Sequence, residues 1–245
     1  MQSQIWGSSI SLHISHPSSA IPYVINAPRL SYLPLLLPRL SSFFGPCSSF
    51  SYEGILLKNL PVGLLFDLYQ PELPWRLTLG DGPLFDIHDT YINSVKEADF
   101  IRNGTSKGIM SMSKENSTRL WNAVQDNDYS SFNKINNLLL NPATPLRNIP
   151  LRIYIPSSPS ASATLGSFKV VQSLIPPMTE SREVQTLGSA LNKILPTLFT
   201  SSRDPILAEP RLHGAPVPFR APLEQLMREA AYADGWLHLC VEMMN

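Results

Sequence analysis

The sequence predicts an α+β chain in which two β-rich parts flank a helix-rich centre. Three observations carry that prediction. Apolar and polar residues alternate in short runs toward both ends, as in Trp75, Leu77 and Leu79 against Arg76 and Thr78, and in Leu151, Ile153 and Ile155 against Arg152 and Tyr154. In the middle the apolar residues recur at helical spacing. The 23 prolines cut the chain into short segments.

In order, Ser9–Ser15 (SISLHIS) alternates weakly. Leu33–Phe44 is expected to be helical only in part, because Pro34 and Pro38 interrupt it. Ser49–Lys58 reads as a strand. Pro61 opens a helix burying Leu64, Leu65 and Leu68, and Trp75–Leu79 forms the next strand. Three helices are expected over 87–103, 114–125 and 129–140, with Trp121, Val124, Phe132, Ile135 and Leu139 packing helix on helix. In the first of these, Ile92, Val95, Ala98 and Ile101 set one buried face. Asn103-Gly104 stops it, since both residues tolerate left-handed backbone angles.

The final hundred residues read most clearly. A strand at 151–155, a loop at 156–167 and a strand at 168–174 form a hairpin. Thr186 caps a helix with the stripe Leu187, Ala190, Leu191, Ile194 and Leu198. A strand lies near 206–212. Pro222 opens a helix with the stripe Leu223, Leu226, Met227, Ala230 and Ala231, and Gly235 ends it. Leu237, Leu239, Val241 and Met243 then alternate with His238, Cys240 and Glu242, which places His238 on the outward face.

Composition narrows the function classes. The net charge is zero, so nothing global draws the chain to nucleic acid or to an acidic membrane. The two cysteines, Cys47 and Cys240, suggest neither a disulfide framework nor a zinc site, and fit a reducing, cytosolic setting. Residues 1–14 lack the pattern of an export signal, and no lipidation signal is expected at either end. The most apolar run, residues 30–38, is too short to span a bilayer. Without an export signal, the glycosylation patterns at Asn103 and Asn116 have no consequence.

Gly104-Thr105-Ser106-Lys107-Gly108 satisfies the G-x-S-x-G pattern of serine hydrolases, and Asp204, His213 and His238 follow in a permissible order. That elbow needs a strand before Ser106, whereas the preceding residues have helical spacing. No carboxylate or cysteine cluster accompanies His213 or His238, so structural roles are expected for both. Lys107 falls in an exposed break between helices. Residue chemistry alone does not single it out from Lys58, Lys96, Lys114, Lys134, Lys169 and Lys193. Trp6 reads either as an anchor in a partner groove or as intramolecular packing.

The segment INSVKEADFIRNGTSKGIMSMS (92–113) resembles the conjugation region of the autophagy-related protein 5 family, fungal type. PRLSYLPLLLPRL (28–40), YEG (52–54), PVGLLFDL (61–68), PWRLTL (74–79), IPLRIYIP (149–156), QTLGSAL (185–191) and ADGWLHL (233–239) follow the family order. The resemblance implies two ubiquitin-like β-grasp domains flanking a helix-rich domain, with expected boundaries 1–83, 84–145 and 146–245. It implies a non-enzymatic scaffold without cofactor or metal, joined through Lys107 to the ubiquitin-like autophagy protein 12. Lys114 is the nearest competing acceptor. Ile5, Trp6 and Gly7 match the segment that contacts the coiled-coil autophagy protein 16. The conjugate would act E3-like on a carrier enzyme that lipidates autophagy protein 8, in the cytoplasm and peripherally on the preautophagosomal membrane. The alternatives are a serine hydrolase using Ser106 and a β-grasp interaction module without covalent attachment. The chain departs from the family pattern at 80–83, at 57–63, where the tryptophan and histidine before PVG are missing, and between Phe44 and Phe50. The first domain is therefore expected to be shortened.

Overall fold

The structure, a computed structural model, describes residues 1–83, 86–140, 145–157 and 167–244. Most of the loop expected at 156–167, and the side chain of Leu139, lie outside the described residues.

A short helix α1 (Gln2–Trp6) leads into a hairpin of β1 (Ser9–His16) and β2 (Ser19–Pro28). A 3-10 turn (Leu33–Leu36), helix α2 (Leu37–Phe44), the hairpin β3 (Ser49–Tyr52) and β4 (Ile55–Leu56), helix α3 (Val62–Tyr69) and β5 (Trp75–Gly80) complete the first domain. The sheet order is β2-β1-β5-β3-β4, with β1 and β5 parallel at its centre. Four helices follow: α4 (Ile87–Asn103), α5 (Lys107–Met110), α6 (Lys114–Gln125) and α7 (Tyr129–Ile135), the last running into a π-type turn, Asn136–Leu140. The second domain repeats the first: hairpin β6 (Leu151–Pro156) and β7 (Phe168–Gln172), helix α8 (Leu187–Ile194), hairpin β8 (Ala208–Leu212) and β9 (Ala215–Pro216), helix α9 (Leu223–Ala230), and β10 (Leu237–Met243). Its order, β7-β6-β10-β8-β9 with β6 and β10 parallel, is the same topology.

Several elements differ from expectation for physical reasons. Strand β2 has no clean alternation because it is an edge strand, with half of its residues exposed. The run at 49–58 is two strands, because Glu53 and Gly54 both take positive φ and turn the chain. Pro34 and Pro38 do not interrupt their helices; each stands in a first turn, where no backbone donor is needed. Pro61 and Pro222 are N-caps rather than first helical residues. Helix α9 ends at Ala230, and Gly235 serves a later turn with φ +84°. The first domain closes a five-stranded sheet around Leu12, Ile14, Leu65, Trp75 and Leu77.

Helix α3 has two working faces. Leu65 packs into its own domain, whereas Leu64 packs into the core shared by the helical region and the second domain. The backbone of Leu64 meets Cys240 of β10. This explains the largest correction: β10 is buried on both sides, so His238 and Cys240 do not face outward and are 1% and 3% exposed. An ion pair between Arg29 and Asp67 lies beside the same seam, and the free Asp67 oxygen accepts the Gly214 N–H at 2.8 Å.

Candidate functional site

The lysine-bearing turn is built by the end of α4. Tyr91, Val95, Ala98, Asp99 and Arg102 are its buried residues, while Ile92 and Ile101 of the expected stripe are only half-buried. Gly104 ends the helix at φ +71°, its N–H bonded to Phe100 O at 2.7 Å. A side chain at this position would also have to displace a neighbour. A Cβ there would stand 2.1 Å from Arg147 Nη1. The Arg147 N–H in turn donates to Arg102 O at 2.7 Å, and Arg102 Nη2 donates to Gly235 O at 2.7 Å. Burial lowers the Arg102 guanidinium to about 10, so it stays charged at neutral pH.

Lys107 is the first residue of α5 and is exposed, not part of the open break itself, which is Gly104–Ser106. Its main chain is held on both sides. The Lys107 N–H reaches Thr105 Oγ1 at 3.3 Å, and Lys107 O accepts from Ser111 N at 2.9 Å and Ser111 Oγ at 2.6 Å. Ile109 is buried below. Asp99, 1% exposed, accepts the Ile109 N–H at 3.0 Å and the Asn103 side-chain amide at 2.7 Å. Exposure does not separate the lysines, since Lys114, Lys134 and Lys169 are exposed too. Lys58 lies 4.4 Å over the Phe168 ring, and Lys193 pairs with Glu180 at 3.9 Å.

Ser106 follows a helix, so the strand that a nucleophile elbow requires is not there. The histidines are engaged elsewhere. His213 Nε2 meets Ala230 O at 2.9 Å, and burial lowers its pKa to about 4. His238 joins Tyr154 Oη (2.9 Å) to Asp234 (3.0 Å), so a carboxylate does accompany it, contrary to expectation. Asp234 also accepts from Ser94 Oγ at 2.7 Å and Trp236 N at 3.2 Å. Burial raises its pKa, but His238, Ser94 and Arg152 outweigh that and hold it at about 2. These groups border a cavity of about 340 Å³ between all three parts of the chain, lined also by Tyr32, Asn59, Tyr91 and Arg152. Arg152 pairs with Glu97 and lies 3.9 Å over the Trp236 ring. Among the described residues Asp86, His88 and Asp89 bring ligand-type atoms within 4.8 Å of one another, but Asp86 is already the N-cap of α4, accepting the Asp89 N–H at 3.0 Å.

At the N-terminus, Trp6 is buried against Tyr129 and Phe132, with ring centroids 5.9 and 4.7 Å away, and its carbonyl accepts from Asn127 at 2.9 Å. Gln2 bonds Arg228 O at 2.6 Å and Tyr129 Oη at 3.1 Å, so α1 bridges the helical region and α9. Intramolecular packing thus occupies the Trp6 ring, while Ile5 is half-buried and Gly7 exposed. Asp99, Arg102 and Asp234 are buried charged side chains around this site that sequence reasoning missed. For the first two a signal existed: both fall on the arc set by Tyr91, Val95 and Ala98.

Three family profiles match in succession: "Autophagy protein ATG5, UblA domain" over residues 5–80, "alpha-helical bundle region" over 86–142, and "UblB domain" over 148–241. The chain belongs to the autophagy protein 5 family. Among its relatives, Autophagy protein 5 of Sclerotinia sclerotiorum is 67% identical with both chains fully covered. That of Chaetomium globosum is 63% identical over 98% of this chain and 88% of its own. The Sclerotinia alignment spans 266 positions against 245 residues here, so the relative carries residues that this chain lacks. The crystal structure of Kluyveromyces marxianus Atg5 shares the fold, with a TM-score of 0.77 over 98% of both chains at 21% identity. The fold is therefore two ubiquitin-like domains with a helical bundle between them, and the function of this autophagy protein 5 family member lies in autophagy. Among the described residues, no helix is long and apolar enough to cross a membrane.

Proposed function

We propose that this chain is a non-catalytic scaffold that accepts the ubiquitin-like autophagy protein 12 at Lys107. The observation that supports this reading best is an exposed lysine side chain on a main chain fixed from below and from both sides. The neutral amine attacks the thioester carbonyl on the carrier enzyme. A C–N bond forms, the C–S bond breaks, the thiolate leaves and the amine gives up a proton. The carrier's site supplies the deprotonation, so the acceptor needs reach rather than catalytic neighbours.

In this reading the helix α1 segment, with Ile5, Trp6 and Gly7, contributes to binding autophagy protein 16, Trp6 holding the segment while Ile5 and Gly7 meet the partner. The conjugate then acts E3-like, stimulating the carrier enzyme that lipidates autophagy protein 8, from the cytoplasm and peripherally at the preautophagosomal membrane. The test is a reconstituted conjugation with the autophagy protein 12 activating and carrier enzymes. A reductant-resistant band shift in the natural chain, lost in Lys107→Arg, is the expected outcome. An equal shift in both moves the acceptor to another lysine, Lys114 first. No shift in either favours an interaction module without covalent attachment.

A further inference from the structure

We propose that Asp99 is the positioning residue for the acceptor amine: its buried carboxylate caps the short helix carrying Lys107 and holds that helix ready for attack. This inference rests on the reading of Lys107 as the acceptor.

Helix α5 has only four residues. Such a helix does not sustain itself, because nucleation fixes several dihedrals for each hydrogen bond gained. Its first backbone N–H groups also lack intrahelical partners. The residue placed to cap it, Ser106, makes no side-chain cap bond and has φ −92° and ψ 23°, not the extended geometry of a working N-cap. Capping is supplied from elsewhere. Thr105 takes the N–H of Lys107, and Asp99, from the preceding helix, takes the N–H of Ile109. An N–H bond to a carboxylate is about twice as strong as a neutral one.

Asp99 is itself buried and held at both oxygens. It is 1% exposed, and its second oxygen is held by Asn103 of the same helix. Ile109 is thus fixed twice, by its N–H to Asp99 and by its side chain, 6% exposed, in the shared core. Lys107 stands two residues earlier, on the exposed side of the same turn. Asp99 therefore touches neither the amine nor the incoming thioester. It acts through the main chain, by raising the fraction of molecules in which the lysine already has its attacking pose.

That mechanism has a kinetic signature. The charged carrier engages only molecules in which α5 is folded, so when a fraction is competent the apparent affinity falls by that fraction, while turnover of the bound complex is unchanged. In reconstituted conjugation with full-length chains, Asp99→Asn is expected to raise the KM for the charged carrier about tenfold and leave kcat within about twofold, the loss of one charge-assisted bond. Amide exchange over residues 107–111 is expected to accelerate while the β6 and β10 amides keep their protection. Asn103→Ala, which frees only one Asp99 oxygen, should raise KM about two- to threefold. A fall in kcat at unchanged KM, or natural kinetics in Asp99→Asn, overturns the proposal. If Asp99→Asn fails to fold, natural kinetics in Asn103→Ala overturn it. Lys107→Arg run alongside separates the two readings: conjugation that persists there refutes the acceptor assignment itself, whatever Asp99 does.

Discussion

Replacing Asp234 by Asn tests whether the buried polar network between α4 and β10 stabilises the fold through charge. The carboxylate is 4% exposed and accepts bonds from Ser94, Trp236 and His238. Burial opposes its ionised form, yet His238, Ser94 and Arg152 together hold its pKa at about 2 against the ordinary 3.8. Because the folded-state pKa is the lower one, ionisation favours folding. At about 1.36 kcal/mol per unit, the contribution is about 2 kcal/mol at neutral pH. It is fully present above the ordinary carboxylate range, falls to roughly half near pH 3, and is lost as pH drops through about 2. Asn keeps the shape and removes the charge. Urea unfolding followed by circular dichroism should therefore show the variant about 2 kcal/mol less stable at pH 7, with the gap at pH 3 about half as large. A gap that stays constant from pH 7 to pH 3 would refute the electrostatic reasoning and leave only packing.

Leu64→Ala and Leu65→Ala remove neighbouring side chains of equal burial, each at a cost of about 2–5 kcal/mol. Only Leu64→Ala should expose β10 amides to hydrogen exchange, because only Leu64 packs into the second domain's core. His213 is held neutral by burial down to about pH 4, so the folded state resists protonation that the unfolded chain accepts near pH 6.5. Stability should fall as pH drops from about 6.5 to about 4, and His213→Asn, which tolerates the φ of +52° there, should flatten that fall in unfolding curves taken across the range. Gly104→Ala places a Cβ against Arg147 at φ +71° and should cost about 1–3 kcal/mol in thermal unfolding.

What was legible in the sequence follows from where each element lies. Helices α4 and α6 and strand β5 bury one face and expose the other, so their periodicity states their geometry. Strand β10 also alternates, and there the alternation misleads. Cys240 lies against Leu64 of α3, and the buried ring of His238 is satisfied at both nitrogens by Tyr154 and Asp234, which no local pattern reveals. Strand β2 escapes for the opposite reason, since an exposed edge imposes little pattern. Lys107 was singled out by resemblance alone, and local chemistry still does not distinguish it from other exposed lysines. The support beneath its helix, Asp99, is a charged residue on a buried arc. Such a residue reads as a flaw in amphipathicity until its partner, the N–H of Ile109 ten residues later, is known.

Helix α4 gives the separate contacts a common frame. Near its start Tyr91 Oη donates to Ala233 O at 3.1 Å; at its middle Ser94 meets Asp234; near its end Arg102 donates to Gly235 O. Tyr91 and Ser94, about one turn apart, and Arg102, about two turns further on, thus grip residues 233–235, just before β10. Asp99 sits on the same helix, between the second and third of these contacts, and holds the lysine-bearing helix. The position of Lys107 relative to the second ubiquitin-like domain is therefore set by one helix with bonds along its length, not by the break at Gly104–Ser106. A partner that bound both Lys107 and the second domain would meet two surfaces already in register, without having to order one against the other.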